Sequence, residues 1–147
     1  MMRGRVFTLA IAGMAIGSCC VAQPAAAPLT VAPGLYRVTA QTVLPHLEDN
    51  LRDAITRIEQ CLGTQSAASL FPLLRHEAFA GCTLTSPALH DGAQVFTLVC
   101  ANRQAASGQA RFVESPSLLE GVLDVKMGGK NMTLAQRIRA QRLGACK

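Results

Sequence analysis

The chain has 147 residues, which sets an expectation of a single domain. Its composition is 50% hydrophobic and 16% charged, with 14 basic against 9 acidic residues and a net charge of +5. With one Tyr, no Trp and no stripe that interleaves aromatic and basic residues, a nucleic-acid surface built on base stacking is excluded.

The first residues read as an export signal. Arg3 and Arg5 form a positive start, Val6 to Ile16 is apolar apart from Thr8 and Gly13, and the small-residue run Gly17-Ser18-Cys19-Cys20-Val21-Ala22 follows. A segment of this length is too short to span a bilayer as a stable helix. The expected organisation is a signal peptide at 1–22, a Pro/Ala-rich linker at 23–32 and a domain at 33–147, released into the periplasm and not transmembrane once the signal is removed. Loss of Arg3 and Arg5 lowers the net charge to about +3, a mild solubility term. A rival cut is set by Ile16-Gly17-Ser18-Cys19, which resembles a lipoprotein box and would anchor the chain to a membrane through a lipidated Cys19. Cysteine parity favours the cut after Ala22. It leaves Cys61, Cys82, Cys100 and Cys146, an even set, whereas the lipid reading strands Cys20 as a free thiol. Four cysteines in an exported domain are read as disulfides, and no Cys-x-x-Cys pair points to zinc or redox chemistry.

In the domain, Leu35 to Leu44 alternates and is rich in β-branched residues, a strand that Pro45 ends. Residues 46–62 are ambiguous. Leu47, Leu51, Ile55, Ile58 and Leu62 recur at helical spacing, yet Thr56 to Leu62 also suits a strand. Ser66 to Leu74 reads as a short helix with Ser66 as N-cap and Pro72 disturbing its end.

Residues 82–100 read as a hairpin. Cys82 and Cys100 are equidistant from Asp91 in His90-Asp91-Gly92, and a three-residue loop places Gly at its left-handed position. Folded there, Leu84 faces Leu98, Thr85 faces Thr97 and Cys82 faces Cys100, with Cys82, Leu84, Phe96, Leu98 and Cys100 on one apolar face. The cysteines fall on a non-hydrogen-bonded pair, with Cα atoms about 4.5 Å apart and within disulfide range. A Cys82–Cys100 bond leaves Cys61 for Cys146. Further strands are expected at 107–114 and 118–127, the second with Leu119, Gly121, Leu123, Val125 and Met127 on one face. Residues 132–143 suit a strand better than a helix, given the glycine turn before them. The fold class is mainly β: a single curved antiparallel meander of about six strands, half-barrel or sandwich, with one or two short helices and two disulfides.

The ordered segments Pro33-Gly34-Leu35-Tyr36, Gln60-Cys61-Leu62, Gly81-Cys82-Thr83, Leu98-Val99-Cys100, Val125-Lys126-Met127-Gly128-Gly129, Met132-Thr133 and Arg142-Leu143-Gly144-Ala145-Cys146-Lys147 resemble a large bacterial family of exported proteins known as domain of unknown function 3617. The resemblance covers residues 33–147. Members read Pro-Gly-Leu-Trp-Glu where this chain has Pro33-Gly34-Leu35-Tyr36-Arg37, and 46–59 looks more helical here than the family's Pro/Met-rich link. The resemblance implies an envelope location and the same four-cysteine frame. It implies no activity, substrate or catalytic residue.

No catalytic, cofactor or metal set is expected. His76-Glu77 begins like a zinc-protease helix, but Ala80 stands where the second histidine belongs. His90 beside Asp91 sits on an exposed turn, and no Ser or Cys is paired with a histidine as a nucleophile would be. Glu120 and Asp124 share a strand face about 13 Å apart, too far for paired acid–base work. The one surface that suggests binding is basic: Arg137, Arg139 and Arg142 with Lys126, which could meet anionic lipid, lipopolysaccharide or an acidic protein. The functional expectation is a non-enzymatic envelope protein that binds an apolar or anionic ligand or a protein partner. The alternatives are a structural or interaction protein of the envelope and, further off, an enzyme of unknown type.

Overall fold

The computed structural model describes residues 30–50, 52–63, 65–101, 106–128 and 132–146. The expected signal, most of the linker and Cys19 lie outside these residues. Among these residues nine strands are formed: β1 (Thr30–Val31), β2 (Gly34–Val43), β3 (Asp53–Leu62), β4 (Gln65–Ser66), β5 (Cys82–His90), β6 (Ala93–Cys100), β7 (Ser107–Ser115), β8 (Leu118–Lys126) and β9 (Thr133–Gly144). Seven of them make one open antiparallel sheet in the order β3-β2-β9-β8-β7-β6-β5, and β1 pairs with β4 beside it. The meander expected from β5 to β9 is present. The first long strand then pairs with the last, because β2 and β9 present matching alternation (Val38 opposite Ala140, Ala40 opposite Ile138).

One face of the sheet is the core. Val38, Ala40, Ile138, Ala140, Leu123, Val125, Ala110, Phe112, Phe96 and Leu98 are all buried on it. Residues 67–79, three successive 3-10 turns, cover this inner face and bury Leu70, Phe71 and Phe79. Full burial of each such side chain stabilises by about 1.5–3 kcal/mol. Phe71 packs on Phe112 with ring centroids 5.3 Å apart, and Phe96 meets Phe112 edge-on at 5.6 Å. Gln136 fixes the cover polarly: its Oε1 accepts the Leu73 N–H at 3.0 Å and its Nε2 donates to Thr42 Oγ1 at 2.7 Å. The short helix expected at 66–74 is therefore a string of 3-10 turns, since Pro72 forbids a continuous α-helical ladder.

One local ambiguity is resolved and one local expectation is corrected. The helical spacing over 46–62 does not produce a helix. Asp53–Leu62 is a strand whose ten residues all pair with β2, and this long-range ladder overrides a periodicity that only Leu62 among the strand's apolar residues uses for burial. The 82–100 hairpin holds the expected pairs Cys82–Cys100, Leu84–Leu98 and Thr85–Thr97, but its loop is two residues long. Asp91 (φ 48°) and Gly92 (φ 73°) form the turn, both in the left-handed region that two-residue hairpin turns require. The residue this leaves over is absorbed by a bulge between Thr85 and Ala88, at Pro87, which has no N–H to donate to the ladder.

The two disulfides pair as expected, Cys61–Cys146 and Cys82–Cys100, with Cα separations of 5.6 and 3.9 Å. Each ties down one edge strand. Cys82–Cys100 joins β5 to its neighbour β6, and Cys61–Cys146 carries the end of β3 across β2 to the segment that follows β9. Such bonds form and persist in an oxidising compartment. Among the described residues no helix is long and apolar enough to cross a membrane.

Candidate functional site

The inner face is filled, so side chains available for binding rise from the outer face. Strand alternation decides which they are. Cross-strand pairing lines up Ile55, Gln41, Arg137, Val122, Arg111 and Val95 across β3, β2, β9, β8, β7 and β6. The next row is Arg57, Thr39, Arg139, Glu120 and Val113. Arg137 and Arg111 thus flank Val122 from the two neighbouring strands, their Cα atoms about 10 Å apart. Together they border a hollow of about 370 Å³ that Val122, Val113, Gln41 and Glu120 also line.

The charges on this face are unevenly matched. Arg139 Nε lies 3.8 Å from Glu120 Oε1, both side chains more than half exposed. Arg37 donates to Glu59 Oε1 from Nε and Nη2, at 3.0 and 2.8 Å. Such exposed pairs contribute little to stability. Among the described residues Arg111 and Arg137 have no carboxylate partner.

The four basic residues singled out in the sequence do not form one surface. Arg137 and Arg139 occupy adjacent rows of the outer face. Lys126 is on the same face, but it lies four residues along β8 from Val122, about 13 Å away. There it borders a second hollow of about 620 Å³ with Val43, Asp124, Leu134 and Ala135. Arg142 is on the opposite face, because an even position on β9 points inward. Its Nη2 donates to the Pro33 carbonyl at 3.1 Å, so it holds the start of β2. Arg111, in contrast, joins the site although the sequence reading did not select it. The signal was present: folding the chain at Pro116-Ser117 sets 111 opposite 122.

The histidines lie in turns and connections or at the end of a strand. His90 Nε2 lies 3.3 Å from Asp91 Oδ2 on the exposed β5–β6 turn. His76 Nδ1 accepts the Ala78 N–H at 3.2 Å and so caps a 3-10 turn. His46 is exposed in the β2–β3 connection. Among the described residues no group of three or more His, Cys, Asp and Glu is placed to hold a metal ion. Glu120 and Asp124 both lie on the outer face, each facing a different row.

The segments that carry the family resemblance converge elsewhere, at one corner of the sheet. Leu35 pairs with Gly144 and Tyr36 with Arg142, and Cys61–Cys146 closes the same corner. A Cβ on Gly34 would stand 2.7 Å from the Gly144 carbonyl oxygen and 2.8 Å from Arg142 Nε, so only glycine fits between them. Tyr36, buried, donates its hydroxyl to the Ala32 carbonyl at 2.9 Å. No curated protein and no solved structure matches the chain. A family model described as Protein of unknown function (DUF3617) matches residues 31–146, which is most of the chain and the whole of the sheet, and the chain belongs to that family.

Proposed function

We propose that this chain is an exported, non-enzymatic envelope protein whose outer sheet face binds the anionic headgroup of a lipid. The carrying observation is the pair Arg111 and Arg137, two guanidinium groups without carboxylate partners among the described residues, which flank Val122 from the neighbouring strands. Guanidinium is suited to this role: it is always charged, weakly hydrated and shaped to meet phosphate oxygens in pairs. Val122 and Val113 give the uncharged part of an amphiphile a surface to rest on. The two disulfides support the placement outside the cytoplasm.

Flotation of the oxidised protein with phosphatidylglycerol vesicles, set against phosphatidylcholine vesicles, tests this reading. Anionic vesicles should be preferred, and the preference should fall as salt rises. At about 1 kcal/mol for each basic residue near an anionic surface, Arg111→Ala with Arg137→Ala should weaken binding roughly thirtyfold. Equal binding to both vesicles, or a double variant that binds like the native protein, would refute it. The second reading, an interaction protein of the envelope, is favoured by the state of strand β3.

A further inference from the structure

The two edges of the main sheet are built differently. At one edge, β5 is blunted: Pro87 lacks an N–H and a bulge interrupts the register between Thr85 and Ala88. Both devices discourage another strand from pairing there. At the other edge, β3 runs ten residues without a proline, a bulge or a lysine, and every one of them is in register with β2. It carries two exposed isoleucines, Ile55 at 54% and Ile58 at 42%. The Leu44 N–H donates to the Arg52 carbonyl at 2.8 Å, which sets the parity of this ladder. Even-numbered residues of β3 turn their backbone groups toward β2. Asp53, Ile55, Arg57, Glu59 and Cys61 turn theirs outward, and among the described residues no strand meets them.

We propose that β3 pairs with β3 of a second copy of this chain, antiparallel about a two-fold axis at Ile58. The side-chain pattern of β3 is self-complementary in that register over residues 54–62, whereas a register centred on Ile55, which also sets Asp53 against the partner's Arg57, joins only residues 53–57. Ile58 meets the partner's Ile58 at a non-hydrogen-bonded position, where side chains approach most closely. Arg57 meets the partner's Glu59, and the axis repeats this pair. Arg57 has no carboxylate partner among the described residues. Glu59 receives both Arg37 bonds on Oε1, which leaves Oε2 for a second cation. Thr56 meets Gln60 and Ala54 meets Leu62. A register shifted to centre on Arg57 would set Arg57 against itself, and one centred on Thr56 would set Asp53 against Glu59. The outward backbone groups of 55, 57, 59 and 61 are then the ones that pair, as the ladder parity requires. Closed two-fold pairing also ends the growth of the sheet, since among the described residues the blunted β5 is the only edge of the main sheet left on either copy.

Sedimentation velocity of the oxidised protein over a range of concentrations tests the proposal. The native chain should pass from monomer to a species of twice the mass. Arg57→Glu should weaken association about thirtyfold, because the axis applies the reversed pair twice, and Arg57→Glu with Glu59→Arg should restore it. Ile58→Cys should crosslink two copies on mild oxidation, whereas Thr56→Cys, whose symmetry mates lie about 13 Å apart along the strand, should not. Circular dichroism verifies that each variant keeps the fold. A native chain that stays monomeric at every concentration overturns the proposal, as does a dimer indifferent to Arg57→Glu or crosslinked at 56 in preference to 58.

Discussion

Replacing Gly121 by Ala should destabilise the domain, and the structure supplies the size of the loss. Gly121 lies on β8 between Phe112 of β7 and Ile138 of β9. A Cβ there would stand 2.9 Å from Ile138 Cγ1 and 2.9 Å from Phe112 Cε1. Neither neighbour can swing away, because Phe112 is 2% and Ile138 3% exposed. The Phe112 ring is held further by Phe71 and Phe96, so a push on it is transmitted to the cover over the inner face. Overpacking of this kind costs about 1–3 kcal/mol. Loss of glycine's freedom in the unfolded chain returns about 0.4–1 kcal/mol, leaving a net loss of about 1–2 kcal/mol. Urea unfolding of the oxidised protein measures it as a lower midpoint at unchanged slope. Phe112→Leu removes the atom struck by the new methyl, so Gly121→Ala should cost less in that background, with coupling of about 0.5 kcal/mol or more. Gly63→Ala, with no atom within 4 Å of the added carbon, is the control and should show only the unfolded-chain gain of about 0.4–1 kcal/mol. A fully stable Gly121→Ala, or strict additivity with Phe112→Leu, would refute the packing argument.

Gly108→Ala should be worse than Gly121→Ala in the same assay, since its Cβ would run into the Asp124 carbonyl, a backbone atom of the paired strand that no rotamer change can move. Gln136→Leu should lose about 2 kcal/mol by leaving the Leu73 N–H without its acceptor, and Thr42→Val about 1 kcal/mol, because Gln136 keeps its bond to Leu73 in that variant. Removal of Cys61–Cys146 by paired alanines should cost about 4.5 kcal/mol and removal of Cys82–Cys100 about 3 kcal/mol in loop entropy, so the longer bridge should give the larger fall in thermal midpoint.

Legibility in the sequence followed the locality of the interactions. The Cys82–Cys100 pairing was readable because turn, alternation and cysteine positions all act within nineteen residues. The same locality hid the true loop. A bulge at Pro87 and a two-residue turn at Asp91-Gly92 produce, near the cysteines, the same register as a three-residue loop without a bulge. Faces of β8 were legible from alternation alone, with Leu119, Leu123 and Val125 buried as expected. Strand β3 was not, because an edge strand exposed on both sides leaves no alternation to read. The site suffered most. A stripe across six strands depends on which strands neighbour one another, and the adjacency of β2 and β9, which joins 41 to 137, is set by residues almost a hundred positions apart. Parity alone separated Arg142 from Arg137 and Arg139; only the sheet order could add Arg111.

The corner formed by Gly34, Tyr36, Arg142, Gly144 and the Cys61–Cys146 bridge changes what the family's motifs mean. Each of these residues has a mechanical task that would hold for any member with this sheet. Gly34 lets two backbones approach, Arg142 holds the Pro33 carbonyl, and the bridge fastens an edge strand that buries almost nothing else. The same holds for Gly81 (φ 78°), the residue just before the Cys82–Cys100 staple, whose carbonyl accepts the Ala101 N–H at 3.2 Å. A family recognised by such residues is recognised by its scaffold. Residues that select a ligand would then lie between the motifs, on the outer face of β7, β8 and β9, where a change of side chain alters no contact of the core. Arg111, Val122 and Arg137 occupy those positions. On this account, exchanging these three residues between family members should transfer vesicle preference without shifting the unfolding midpoint by more than about 0.5 kcal/mol. A swap that instead unfolds the sheet would show that the outer face is part of the scaffold after all.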